Sequence, residues 1–300
     1  MLKEKMEKRN RRWREWLGGA AFLGPSVVGV SIFYILPFGV VIFYSMISNP
    51  IQREFVFFDN FRSLLTNSAF QQAARNTATF SAIAVPLAVV IGLLLALLLE
   101  CKIPLKSQFR TFFLSPMMVP VASIVLIWQV LFNYNGVVNE LLISFGITEA
   151  ADKLDWLKSA HNQLVVILLF LWKNLGYNMI LFMASLNNMP GDLIEVATIE
   201  GAGPFYKFFA VKMRYLSPTI LFVTILSLIN SFKVFREVYL LTGDYPYGGL
   251  YMLQHFMNNT YKSLDYQKLS SAAVIMAIAM VIIIVVLFVA EGRFGKDVEG

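Results

Sequence analysis

From Trp16 to Gln52 the chain carries no charged residue, a run well beyond the roughly 20 apolar residues that cross the hydrocarbon core of a bilayer. Five more apolar runs follow, near residues 76–99, 111–133, 163–188, 216–242 and 269–290. Lipid offers no hydrogen bonds to a backbone, so runs of this length must be helices whose amides bond internally. With 57% apolar and only 15% charged residues, no ordinary soluble domain fits this chain. The expected fold is all-α and integral to the membrane, with six transmembrane helices. The first, about 19–47, is too long for the apolar region of a cleaved signal peptide. Pro37 inside it, with Pro25 near its start, predicts a kink or an interfacial lead-in.

Charge sets the expected orientation. Six spans place both termini on one side. Lys and Arg number fifteen in the N-terminal segment, at 102–110, at 191–215 and in the tail, against seven in the loops 48–75, 134–162 and 243–268. Cytoplasmic loops carry such an excess, so both termini are expected in the cytoplasm, flanking a multi-pass membrane protein. The pI near 9.3 is then explained by topology and not by nucleic acid. Residues 1–18 read as a basic cytoplasmic segment, 19–290 as the six-span domain and 291–300 as a cytoplasmic tail. Cys101, the single cysteine, excludes an internal disulfide and reads as a small packing residue at a helix end; two distant histidines give no metal signature.

One stretch breaks the apolar pattern. Residues 190–218, PGDLIEVATIEGAGPFYKFFAVKMRYLSP, mix charge, glycine and proline with apolar side chains. Asp192 followed by Glu195 predicts a helix start of the capping-box kind. Gly201 and Gly203 stop that helix, and Pro204 suits the first turn of another. The expected product is a short helix, a tight turn and a second short helix, with Glu195 and Glu200 on the first and Lys207, Lys212 and Arg214 on the second. Such a knuckle is either a docking element or a solvated loop.

The stretch resembles the cytoplasmic Glu-Ala-Ala loop of the membrane subunits of ATP-binding-cassette importers, in the branch of the maltose and glycerol-phosphate permeases. Glu195, Ala197, Glu200, Gly201, Ala202, Phe208, Leu216 and Pro218 carry the likeness; Val196 stands at the usual middle Ala and Met213-Arg214 at an expected Leu-Pro. Asn76-Thr77 and the LLTG run ending at Gly243 extend it. The resemblance implies a type I importer transmembrane domain with a cytoplasmic coupling helix between helices 4 and 5. Glu195, Ala197, Glu200, Gly201, Ala202, Gly203, Pro204 and Phe208 would then contact an ATPase. It also implies a second six-span permease subunit, two ATPase subunits that bind ATP and magnesium, and an extracytoplasmic solute-binding protein. That protein would meet the outer loops, of which 243–268 is rich in Tyr, Gly and Asn and otherwise reads as a connector.

Polar side chains inside the spans are the candidates for a solute path, because a mid-membrane Lys or Arg is expected to face protein or water. Trp172, Lys173, Tyr177 and Asn178 lie near the middle of the fourth span. Asn230, Lys233 and Arg236, with Glu237, lie in the fifth. A carbohydrate needs hydrogen-bond partners for its hydroxyls and aromatic rings for its C–H faces, and this set supplies both. The competing reading is that the asparagines bond between packed helices and that Arg236 and Glu237 snorkel to the interface.

The chain has no Gly-x-x-x-x-Gly-Lys-Ser/Thr phosphate loop, so it is read as a transport subunit without an ATP site or cofactor of its own. No nucleophile elbow, zinc-ligand spacing or paired carboxylate suggests an intramembrane enzyme. The alternative is a secondary transporter driven by an ion gradient through Lys173, Lys233, Arg236 and Glu237, although the half-to-half repeat common in such carriers is not evident.

Overall fold

A computed structural model of the chain describes residues 19–101 and 104–294. The basic segment 1–18, Lys102 and Lys296 lie outside the described residues. Among the described residues everything is helix, turn or loop apart from one isolated antiparallel bridge between Ile47 and Phe55. Among the described residues, six stretches are long and apolar enough to cross a membrane: Gly19–Ser45, Ser68–Glu100, Val121–Ser144, Asn162–Asn187, Ser217–Thr242 and Tyr266–Arg293. The described residues form two compact units, one drawn from 19–66 with 260–277 and the other from 67–259 with 278–294.

In the first unit, helix α1 (Gly19–Ser45) widens into a π-helical segment at Ser31–Ile35. Pro37 follows at once; it has no N–H to give, and the ladder is spared a sharp break by the wider turn. Phe22, Phe33 and Tyr34 are exposed, and none of the apolar window of α1 is buried within the chain. After α1, the Asn60 Nδ2 donates to the carbonyls of Ser45 and Ile47 at 3.0 and 2.9 Å, tying helix α2 (Asp59–Leu65) to the chain reversal.

The second unit is built on α3 (Ser68–Glu100) and α7 (Asn162–Asn187), which pack against each other more extensively than any other pair. The α3 helix starts two turns earlier than the apolar run suggests, because Asn67 accepts the Phe70 N–H at 3.0 Å and caps it. Cys101, at the other end, is exposed and not a packing residue. The expected third span, 111–133, is instead two helices, α4 (Lys106–Met118) and α5 (Val121–Phe132). Val119 is extended, as a residue preceding proline prefers, and Pro120 cannot continue the ladder. The crossing stretch is therefore α5 together with α6 (Val137–Ser144).

The fourth and fifth spans are joined by α8 (Gly191–Ile199) and α9, which begins at Pro204–Tyr206, runs as π turns through Lys207–Lys212 and closes at Met213–Tyr215. The fifth span is α10 (Ser217–Lys233) and α11 (Phe235–Thr242), interrupted at Val234. The segment expected to be a loop, 243–268, contains a helix, α12 (Leu253–Lys262), before the last span α13 (Tyr266–Phe294).

Apolar side chains from α3, α7 and α10 interlock around Val89, Phe182 and Val223. A second cluster joins Phe80 and Phe170 to Val238 and Leu250, and a third joins Trp128 and Phe132 to Leu169 and Leu241. Two glycines allow close approaches between helices. A Cβ on Gly176 would stand 1.9 Å from the Phe113 carbonyl oxygen, so α4 rests directly on the backbone of α7. A Cβ on Gly92 would stand 2.8 Å from the Cβ of Asn178. Small residues let membrane helices approach in this way.

Candidate functional site

The knuckle is locked by its own backbone. Gly201 has φ +80, where only glycine is comfortable. With the chain turned there, the Gly201 N–H donates to the Thr198 carbonyl at 3.1 Å and the Ala202 N–H to the Ala197 carbonyl at 2.9 Å. That pair of bonds is a Schellman cap, and it satisfies carbonyls that the end of α8 would leave open. Gly203 and Pro204 then start α9, with Pro204 in its first turn. The expected Asp192 cap is not formed: Pro190 stands at the N-cap without a side-chain bond, and Asp192 sits inside the first turn. There its charge favours the helix N-terminus.

Three contacts fasten the knuckle to spans in its own unit. Lys212 Nζ pairs with Glu100 at the end of α3 at 2.7 Å. The Tyr215 hydroxyl donates to the Asn188 carbonyl at 3.0 Å, and the Ser217 hydroxyl to Glu291 at 3.3 Å. Ala197 is buried and Ala202 and Phe208 half-buried, whereas Glu195, Glu200, Gly201, Gly203 and Pro204 are exposed. Ile199 and Phe205 are 86% and 82% exposed, so the turn presents apolar surface outward.

Further along the fourth and fifth spans lies a cavity of about 590 Å³, a size that suits small-molecule sites. Lys173, Asn174, Tyr177, Asn230, Lys233, Arg236, Glu237 and Gln254 line it together with apolar residues that include Leu169, Phe170 and Phe235. Lys173 forms an ion pair with Glu237, bridging α7 and α11. Glu237 is 4% exposed, so it is buried and paired and does not snorkel. The Asn230 Nδ2 donates to Asn174 Oδ1 at 3.0 Å, a second bridge between the two spans. On insertion scales each mid-membrane cation costs roughly 2.5–3.5 kcal/mol, and this cavity wall carries three.

Five of the seven path candidates therefore meet: Lys173, Tyr177, Asn230, Lys233 and Arg236. Two do not. Asn178 is buried and bonded to the Ala88 carbonyl at 3.3 Å and the Ser227 hydroxyl at 3.0 Å, so it fastens helices. Trp172 stacks on Trp128 with ring centroids 5.2 Å apart and belongs to the third apolar cluster. Asn174 and Glu237 were visible as in-span polar residues but absent from the candidates. Gln254 lies on α12, whose position beside the cavity no local pattern announces.

The loop that follows the fifth span is stitched down from outside itself. Asn76 Nδ2 donates to the Gly248 and Tyr251 carbonyls at 3.0 and 2.9 Å. Thr77 Oγ1 accepts the Leu253 N–H, while Asn162 and Gln163 donate to the carbonyls of Tyr247 and Gly249, all three at 2.9 Å. Gly243 at φ +80 turns the chain into this loop. His255 is fully buried against Phe235, with centroids 4.7 Å apart. Burial pushes its pKa down to about 4, against the opposing pull of Asp244.

The sequence profile of the family described as "Binding-protein-dependent transport system inner membrane component" matches residues 88–300. The chain belongs to that family. The match takes in the knuckle and every residue lining the cavity. This permease is 28% identical over 296 residues to the probable ABC transporter permease protein YesP of Bacillus subtilis, covering 94% of its own length and 93% of the relative. It is also 28% identical over 292 residues to the trehalose/maltose transport system permease protein MalF of Thermococcus litoralis, covering 95% and 97%. Among solved structures, a chain of a bacterial ABC transporter involved in the import of the acidic polysaccharide alginate superposes with a TM-score of 0.77 at 21% identity, covering 94% of this chain and 99% of that one. The fold is that of the importer transmembrane domain, and the ion-gradient alternative has no support in these relatives.

Proposed function

We propose that this permease chain is the membrane subunit of an ATP-driven carbohydrate importer. In this reading the knuckle lies in the cytoplasm with both termini and docks on an ATPase, while the cavity between the fourth and fifth spans is part of the solute path. ATP and its magnesium ion belong to two partner ATPase subunits. A second six-span subunit, in this reading a different chain, shares the path, and an extracytoplasmic binding protein delivers the solute. The trehalose/maltose system of the MalF relative supports a carbohydrate as cargo.

The observation that carries this proposal is the knuckle itself. Its backbone is closed by the Gly201 cap, its tip turns Ile199 and Phe205 outward, and its far end is tied to three spans. An apolar surface on so rigid a turn is stabilised when a partner covers it. A push on it is carried through Lys212–Glu100 to α3, through Tyr215–Asn188 to α7, and directly along the chain into α10. The α7 and α10 helices hold Lys173, Tyr177, Asn230 and Lys233, so a tilt between them opens or closes the cavity. The chain supplies no chemistry in this cycle; it converts a displacement at one end into access at the other.

The test is uptake by proteoliposomes containing both membrane subunits, the ATPases and the binding protein. Uptake should require enclosed ATP and stop when the ATPase subunits are omitted. Uptake that continues without ATP and collapses with an ion gradient contradicts the proposal.

A further inference from the structure

The charge of the cavity is lopsided. Lys173 and Glu237 neutralise each other. Lys233 and Arg236, on either side of the break at Val234, both line the cavity, and among the described residues neither makes an ion pair or a side-chain hydrogen bond. Glu237 has the opposite deficit: its Oε2 is buried and accepts no hydrogen bond. That oxygen is out of a solute's reach, and what the wall offers is two cationic donors lacking acceptors. Asn230 and Asn174 satisfy one another and add no charge.

We infer that the solute is an anionic carbohydrate, with a carboxylate, phosphate or sulfonate held by Lys233 and Arg236. This rests on the cavity being the solute path. Ionisable groups inside a membrane domain pair or face water, and a neutral sugar leaves both cations unpaired. A guanidinium takes a carboxylate or phosphate through two parallel hydrogen bonds, and an ammonium beside it adds a point charge. Glu237 does not repel such a solute, because Lys173 already balances its charge. The other occupant that fits the same two cations is a carboxylate of the second membrane subunit, and it differs in what its loss affects: assembly, not solute affinity.

The experiment uses the complete importer in ATP-loaded proteoliposomes and three matched probe pairs: trigalacturonate and its neutral methyl ester, glucose 6-phosphate and glucose, 6-deoxy-6-sulfoglucose and 6-deoxyglucose. The charged member of at least one pair should enter at least ten-fold faster than its neutral counterpart. The Lys233→Gln/Arg236→Gln variant should raise KM for that probe ten-fold or more, and Lys233→Arg/Arg236→Lys should recover most of the loss. Three results overturn the inference: equal or faster uptake of the neutral member in every pair, including no uptake of any charged probe; an unchanged KM in the glutamine variant; or loss of the second membrane subunit from the purified variant. ATP-dependent uptake that ignores charge defeats this inference alone. Uptake that needs no ATP defeats the importer reading beneath it.

Discussion

The knuckle at 191–215 joins two membrane spans and the loop at 243–253 leads from a span into α12, and the two are held in different ways. The knuckle is closed by backbone bonds within itself, at Thr198–Gly201 and Ala197–Ala202, and shows apolar side chains to the outside. The loop has its carbonyls held by amide side chains from α3 and α7. The turn of the first is closed by its own backbone, while the second draws most of its bonds from side chains of two spans. A rigid end suits the transmission of force, and an end stitched to the spans suits a response to their movement.

The largest expected effect comes from unlocking the knuckle. Gly201→Pro forces φ from +80 to about −65 and removes the N–H that donates to Thr198. Transport should be abolished while membrane insertion, followed by fractionation and span accessibility, stays normal. Normal uptake by this variant would break the comparison at its stiffer end.

Next is Gly176→Ala, which acts on the packing beneath the cavity. Its new methyl meets the backbone of Phe113 at 1.9 Å, and backbone cannot step aside as a side chain can. Overpacking of this kind costs about 1–3 kcal/mol, and the thermal midpoint of the purified chain should fall accordingly. An unchanged midpoint means that α4 does not rest on α7 in the membrane.

A smaller effect is expected at the stitched loop. Asn76→Ala removes two bonds to the Gly248 and Tyr251 carbonyls, each worth about 0.5–1.5 kcal/mol net. Hydrogen exchange in 248–253 should quicken while exchange in 198–203 does not change. Equal quickening in both segments would show that they are not independently held.

The last effect appears only on acidification. His255 titrates near 4 in the fold, below its ordinary 6.5, so the unfolded or opened loop binds the proton first. Stability of this region should be full above pH 6.5 and decline as pH falls from 6.5 toward 4. Exchange of α12 amides measured across that window reads it, and His255→Leu should flatten the dependence. A wild-type profile already flat would place the ring in water.

Six crossings were legible in the sequence because length and apolarity are local properties. The Gly201 turn was legible for a related reason, since a positive φ after a short amphipathic run calls for glycine. What was not legible depends on which face of a helix meets which neighbour. Asn174 and Asn178 lie one turn apart on the same span, and only the positions of Asn230 and of Ser227 send one toward the cavity and the other into the packing. Trp172 was drawn away by Trp128, nowhere near it in sequence. Pro120 stands inside the apolar run 111–133. Its consequence, a third crossing displaced toward Val121–Ser144, needed the backbone.

The most direct test concerns the exposed tip of the knuckle. In the complete importer with Cys101→Ser, a single cysteine at Phe205→Cys is treated with a short bifunctional thiol reagent. The account predicts a cross-link to an ATPase subunit, formed only in the assembled complex and varying in yield with bound nucleotide. Labelling of that cysteine from outside intact cells, or no ATPase cross-link in a transporting complex, would contradict it.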